Sequence, residues 1–409
     1  MKTRSGCTRM GLRSLFLVLA GIWGSAAEAQ PGPNSQVGTS MAPATAAGVE
    51  NASSNEKPLG GGAWQATTIF SNITVGLILA DGRGDKTTRL YATDITTNTV
   101  KEFSFDGSWA NTSNISLPFY AEGALLVGDG RADGSAHVYV GEFSSAGNVS
   151  EFTWDGTAWS GIAMGTAGQQ MVAAQWCDPR SDGLLHQYFS TGGPAANNIS
   201  YEFTYDKTGW MMDPIASPLT DASWGGFGLA VGPGRNDDVH RLYQGIFDAA
   251  TEQNYIYELS WNGSDWDALE LAEFGSGRLS QVMWLTVGQP RNDGLYRLYA
   301  VVRGRGVHEF TYDGTAWSET DLLPIGGEVF TSVVGQGRND GVNRLYVGQL
   351  IPWQLFEATY DGKRWQYEYL GFPDGGVFRV LVGDGRGDGV NRVYSSGAAG
   401  VIEFTRQSL

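Results

Sequence analysis

One pattern recurs seven times in this chain and leaves little freedom in what it can fold into: Arg-x-Asp, with a Tyr eight residues after the Arg. The copies are Arg83/Asp85/Tyr91, Arg131/Asp133/Tyr139, Arg180/Asp182/Tyr188, Arg235/Asp237/Tyr243, Arg291/Asp293/Tyr299, Arg338/Asp340/Tyr346 and Arg386/Asp388/Tyr394. Successive arginines lie 48, 49, 55, 56, 47 and 48 residues apart. A Glu follows each Tyr: Glu102, Glu151, Glu202, Glu258, Glu309, Glu357 and Glu403. Six copies carry an aromatic three residues after that Glu (Phe105, Trp154, Tyr205, Trp261, Tyr312, Tyr360) and then a Trp (Trp109, Trp159, Trp210, Trp266, Trp317, Trp365). A fixed period near fifty residues means one supersecondary unit stacked against its own copies.

The unit reads as four short strands. Phe330 to Gly335 is apolar enough for a strand buried on both faces. Gly337-Arg338-Asn339-Asp340-Gly341 has the chemistry of a turn with positive φ. Arg344 to Val347 and Leu355 to Tyr360 make two further strands. Asp361-Gly362 is a hairpin turn, and Trp365 to Leu370 completes the unit. Four antiparallel strands per unit predict an all-β, seven-bladed propeller. The seventh unit ends at Glu403-Phe404 without a fourth strand, and Ala63-Trp64 matches the missing piece, as in Thr315-Ala316-Trp317. The expectation is that residues 63–70 pair with the C-terminal blade and close the ring. A linear solenoid would instead carry polar capping repeats at its ends.

Composition agrees with this reading: 58 glycines supply turns, aromatics reach 12%, and charged residues only 17%. Residues 1–29 have the parts of a secretory signal: Lys2, Arg4, Arg9 and Arg13, then the apolar Leu15 to Trp23, then Ala27-Glu28-Ala29. Residues 30–60 read as a low-complexity linker and 61–409 as the propeller, which predicts secretion to a periplasmic or extracellular space. The net charge of −16 becomes −19 once the signal is removed, with 23 basic against 42 acidic groups. Such acidity excludes nucleic acid and anionic membrane surfaces as partners. No second apolar run has the length to insert into a membrane. Cys177 is the single cysteine after the signal, so no internal disulfide forms.

The segment Arg297-Leu298-Tyr299 … Glu309-Phe310-Thr311-Tyr312-Asp313-Gly314-Thr315-Ala316-Trp317 resembles the repeat of fungal and bacterial fucose-binding propeller lectins. The resemblance implies a sugar site between neighbouring blades. There Arg and Glu would hydrogen-bond ring hydroxyls, and aromatics of the adjacent blade would cover the apolar face of the sugar. Carried over, the pairs are Arg89/Glu102, Arg241/Glu258, Arg297/Glu309, Arg344/Glu357 and Arg392/Glu403, with Trp64, Trp159, Trp210, Trp266, Trp317 and Trp365 as stacking platforms. His137/Glu151 and His186/Glu202 lack the Arg. The implied function is a secreted, multivalent, lectin-like protein whose partners are glycans or glycoconjugates.

The same residues permit other readings. Arg and Glu on facing strands form a cross-strand ion pair in any repeated blade. In that case the ring is a non-enzymatic scaffold for protein surfaces. The Asp-Gly-Arg-Gly-Asp-Gly loops (Asp81 to Asp85, Asp384 to Gly389) are similar to the calcium loops of integrin-type propeller repeats. Alternating acidic oxygens suit calcium, but an Arg occupies a middle ligand position in every copy. A polysaccharide lyase or glycosidase is the third reading. The four histidines lack metal spacing, no nucleophile motif is present, and the two longer connections, 211–227 and 246–256, hold no catalytic set. Binding rather than catalysis is therefore expected, with no resident metal or cofactor and no catalytic residue.

Overall fold

Each repeat folds as a meander because its two kinds of turn hold themselves shut. At the Asp313-Gly314 hairpin, the Asp313 carboxylate accepts the backbone N–H groups of Thr315 and Ala316, both at 2.8 Å. Gly314 takes φ 99°, a conformation open to glycine and costly to other residues. The computed structural model describes residues 63–193, 198–219, 223–323, 327–371, 373 and 375–407. The signal at 1–29 and the linker at 30–60 lie outside the described residues.

Seven antiparallel sheets result, one per repeat. Blades I to VI span 74–116, 125–166, 170–216, 229–276, 282–323 and 328–371. Blade VII combines Arg379–Gly383, Arg392–Gly397 and Gly400–Arg406 with Trp64–Phe70 as its outer strand. The pairing runs Trp64 opposite Arg406 to Phe70 opposite Val401. The first strands of blades VII and I pack on each other, as do those of the blades between, so the ring is closed. The fold is a seven-bladed β-propeller, and the predicted closure is present.

Burial is graded from the axis outward. The second strands are buried along their whole length in several blades, as in Arg89–Asp94 and Arg297–Val302. The outer strands are largely exposed. Two departures from the repeat stand out. The segment 246–256 is not a loop: it lengthens the second and third strands of blade IV, Arg241–Asp248 and Gln253–Trp261, into one long hairpin. The innermost strand of blade IV is broken in two, Ser223–Trp224 and Leu229–Gly232, both pairing with Arg241–Asp248. The Gly-rich break carries Phe227, which packs on Phe330 of blade VI, which in turn packs on Phe378 of blade VII.

Candidate functional site

The repeated residues meet at the seams between blades. In every blade the Tyr and the Glu face each other across the second and third strands. Each Glu is at most 2% exposed, so its charge must be compensated. The Arg of Arg-x-Asp supplies the compensation. Arg83 grips Glu102 with Nε at 3.0 Å and Nη2 at 2.5 Å, and Arg291 grips Glu309 at 3.0 and 2.6 Å. Arg131, Arg180, Arg235, Arg338 and Arg386 hold Glu151, Glu202, Glu258, Glu357 and Glu403. In three blades the Tyr hydroxyl donates to the same carboxylate, at 3.1 Å for Tyr91, 2.9 Å for Tyr299 and 2.8 Å for Tyr346. Burial pushes these phenols well above the usual tyrosine range, and the neighbouring Glu pushes them further, so they remain donors. The turn must also clear the hydroxyl: a Cβ on Gly337 would sit 2.5 Å from the Tyr346 oxygen.

The expected partners of these carboxylates are therefore second in rank. Arg89, Arg241, Arg297, Arg344 and Arg392 approach their Glu at 3.7, 3.7, 3.7, 3.3 and 4.0 Å through Nε. Their fork points elsewhere, onto the Asp of the motif four residues earlier. Arg89 holds Asp85 at 2.7 and 2.5 Å, and Arg392 holds Asp388 at 2.8 and 2.7 Å. The Arg392 guanidinium pulls the Asp388 carboxyl down to about 2, and Arg89 pulls Asp85 lower still. Blades II and III carry His137 and His186 in place of this Arg. Burial opposes the imidazolium of His186, but Glu202 and Asp182 outweigh it and raise its pKa.

The tryptophans join one blade to the next. Trp159 meets Tyr91 of blade I edge-on at 6.2 Å. Trp210 meets Tyr139, Trp266 meets Tyr188, Trp317 meets Tyr243, Trp365 meets Tyr299 and Trp109 meets Tyr394 in the same way. Trp64 packs in the cluster that holds Tyr346. Two indoles also donate across the seam to the buried Glu, Trp210 to Glu151 at 3.0 Å and Trp109 to Glu403 at 3.1 Å.

The motif Arg reaches across the same seam in the other direction. The guanidinium of Arg83 lies over Trp154, Arg131 over Tyr205, Arg180 over Trp261, Arg235 over Tyr312, Arg291 over Tyr360 and Arg386 over Phe105. The seventh seam differs because position 406 is Arg, not aromatic. There Glu368 of blade VI sits between Arg338 and Arg406 and pairs with both.

The turn bearing the motif is built in two ways. The middle residue has φ between 52° and 70° in every copy, which favours Gly and Asn. In blades I, II, III and VII an Asp closes the loop, as Asp81 accepts the N–H groups of Asp85 and Lys86 at 3.1 and 2.6 Å. Blades IV, V and VI lack it and clasp the next blade instead. Asn292 donates to the Asn343 carbonyl at 2.9 Å and accepts the Asn343 N–H at 2.8 Å. Asn236 does the same with Tyr296, and Asn339 with Asn391.

Two further groups fall outside the repeat. Arg379, on the first strand of blade VII, reaches across the ring. Its guanidinium lies 4.0 Å from the Trp284 ring centroid of blade V and 3.5 Å from the Val172 carbonyl of blade III. Burial lowers its pKa to about 9, and burial pushes Glu122 up to about 7. The legible signal was a charged residue inside Phe378-Arg379-Val380-Leu381-Val382, a strand otherwise apolar. The second is Cys177, whose Sγ lies 2.8 Å from Nδ1 of His240 on the next blade. Burial pushes this thiol up to about 12, which favours the protonated form.

Motif turns and Asp-Gly hairpins emerge at the same end of the blades. That face carries Asp81, Asp129, Asp178 and Asp384, of which Asp81 also lies 3.8 Å from Arg89, and again Asp155, Asp206, Asp313 and Asp361 at the hairpins, the last 3.9 Å from Arg364. It is also apolar along an arc from blade III to blade VII that blade VI, where Val342 is half-buried, interrupts. Leu184 and Leu185 of blade III, Val239 of blade IV, Leu295 and Tyr296 of blade V and Val390 of blade VII are exposed at the turn tips. Blades I and II carry Thr87-Thr88 and Ser135-Ala136 there.

No protein-family model matches the sequence, and no curated protein matches it significantly. Solved structures do match. One of BBS1N in complex with ARL6DN aligns with a TM-score of 0.55 at 12% identity, covering 85% of this chain and 97% of that one. Saccharomyces cerevisiae Sqt1 aligns with a TM-score of 0.53 at 9% identity, covering 83% and 100%. At these identities the likeness is one of fold, the β-propeller.

Proposed function

We propose that this propeller is a non-enzymatic docking platform for a protein partner, and that the partner binds the face bearing the motif turns. The observation that carries this is the arc of exposed apolar turn tips, Leu184 to Val390, set among carboxylates. Aliphatic and aromatic tips supply contact area, and the acidic surround selects a partner segment rich in Lys and Arg. The Asn clasps tie blades IV to VII together beneath the arc and hold it rigid. BBS1N, of similar fold, is itself seen in complex with a protein, ARL6DN.

Panning the full chain against a random peptide display library tests this. Enriched peptides are expected to combine basic and aliphatic residues and to lose at least tenfold in affinity on Leu295→Asp with Val390→Asp. Enrichment without that bias, or binding indifferent to both substitutions, would overturn it.

Glycan binding is the second reading, carried by the repeated Trp edges at the seams. It requires Arg89, Arg241, Arg297, Arg344 and Arg392 to exchange a held Asp for a sugar hydroxyl, and Glu102 and its equivalents to give up a gripping Arg. A glycan array followed by calorimetry at millimolar sugar distinguishes it, with Glu309→Ala and Glu357→Ala as variants.

A further inference from the structure

We propose that Asp129, Asp133 and His137 of blade II bind a zinc-like divalent cation. In blades I, IV, V, VI and VII an Arg occupies this position and neutralises the Asp of the turn. In blade II an imidazole stands there instead, between two carboxylates.

His137 is held as a ligand would be held. It is 2% exposed, and its Nδ1 lies 2.8 Å from the Thr153 hydroxyl and 3.7 Å from the Glu151 carboxylate. A proton on Nδ1 suits both neighbours and leaves Nε2 with a bare lone pair. An oxygen partner on the far ring nitrogen is the usual outer support of a metal-bound histidine. Nε2 is buried and has no hydrogen-bond partner. It aims at Asp133, whose Oδ2 is 3.5 Å away. That is longer than an N–H···O hydrogen bond. It matches the edge of a tetrahedral shell, about 3.4 Å for metal–ligand distances of about 2.1 Å.

Asp129 completes the set, and one donor atom of each residue lies within 4.8 Å of the others. The Asp133 side chain is 41% exposed, so water has access to a fourth position. An imidazole nitrogen with two carboxylates suits zinc and its neighbours better than calcium or magnesium, which take oxygen alone. Blade III repeats the residues as Asp178, Asp182 and His186, but there Nε2 already lies 3.2 Å from both Asp182 oxygens. In the third such cluster, Glu319 and Asp321 both engage Nδ1 of His308 at 2.7 Å. The proposal therefore rests on blade II; its residues lie on the same face as the proposed docking surface, but the argument does not depend on that reading.

The test uses untagged full-length protein stripped with chelator. Cobalt(II) absorption reports the coordination shell, and calorimetry with zinc reports stoichiometry and affinity. One zinc per chain is expected, with a cobalt band that zinc displaces. His137→Arg recreates the arrangement of five other blades and should weaken binding at least tenfold, while His186→Arg leaves it intact. Asp133→Asn, which keeps the buried imidazole, should also weaken it at least tenfold. Absence of binding at micromolar metal, or binding that survives His137→Arg, would overturn the proposal.

Discussion

The Arg83 guanidinium of blade I lies 3.7 Å from the centroid of the Trp154 ring of blade II while both of its gripping nitrogens hold Glu102. One side chain thus neutralises a buried carboxylate in its own blade and packs on the next. Flat stacking is geometrically compatible with an in-plane fork, which is why Arg and not Lys serves here. Removing Arg83 leaves the buried Glu102 with only the Nε of Arg89 nearby, at 3.7 Å, on a guanidinium whose fork is committed to Asp85. Arg83→Ala is expected to cost about 3–5 kcal/mol, read by denaturant unfolding. Arg83→Lys should recover only part of this, because an ammonium cannot fork and stack together.

At the seam of blades VI and VII, Glu368 separates two arginines. Glu368→Ala is expected to destabilise by about 2–4 kcal/mol, because Arg338 and Arg406 then face each other as like charges without a shared anion. Adding Arg406→Tyr restores the arrangement of the other six seams. The double variant should be more stable than Glu368→Ala alone. Simple additivity in the double-mutant cycle would show that the three residues do not act as a unit.

Acid stability should follow the forked aspartates. The Asp388 carboxyl is held at about 2 by Arg392, below its unfolded value near 4, so its contribution is present above pH ~4 and lost as pH falls towards about 2. Arg partners lower Asp237, Asp293 and Asp340 in the same way. The fall in unfolding free energy should therefore extend below pH 4 rather than finish there. Asp388→Asn should reduce the protons taken up on acid unfolding by up to about one, measured from the slope of stability against pH.

Glu122 has the opposite sign. Burial raises its folded pKa to about 7 from 4.5, so the folded state holds a proton that the unfolded state releases. Its effect is absent below pH ~4, grows as pH rises, and levels off above about 7. Glu122→Gln should therefore stabilise the protein at pH 8 by on the order of 2–3 kcal/mol relative to its effect at pH 4. Thermal melts at the two pH values measure it. An equal effect at both would mean that Glu122 does not titrate between them.

Ring closure is tested by Thr67→Pro. Thr67 stands opposite Glu403 in the outer strand of blade VII, and Pro removes a ladder donor. The loss should be about 3 kcal/mol, with Trp64 fluorescence moving to the red as its packing against the last seam loosens. An unchanged melting temperature would mean the outer strand adds no stability.

The architecture was legible because Tyr, Glu and Trp recur at offsets that only one strand arrangement satisfies. Trp64 could be assigned to the last blade because Ala63-Trp64 matches the piece that unit lacks, as in Thr315-Ala316-Trp317. What the offsets could not show is which of two arginines takes the buried Glu. Arg83 and Arg89 are both near Glu102, and the choice depends on how the turn folds back, which φ at the middle residue governs. Contacts that cross the ring were equally hidden. Arg379 and Trp284 meet through the axis, and a repeat pattern records only what neighbouring blades share. Residues 246–256 looked like a loop because they interrupt the period, yet their alternation extends a hairpin.

The strand Trp64–Phe70 waits for partners made last. Gln65 meets Gln407 across 342 positions of chain. Until the final strand exists, this strand has no sheet to join, and the six complete blades form an arc with two raw edges. Ring closure therefore depends on the strand Gly400–Arg406. A product cut short at any point before residue 401 keeps an unlatched edge and an unburied Trp64, a surface that aggregation or a protease can recognise.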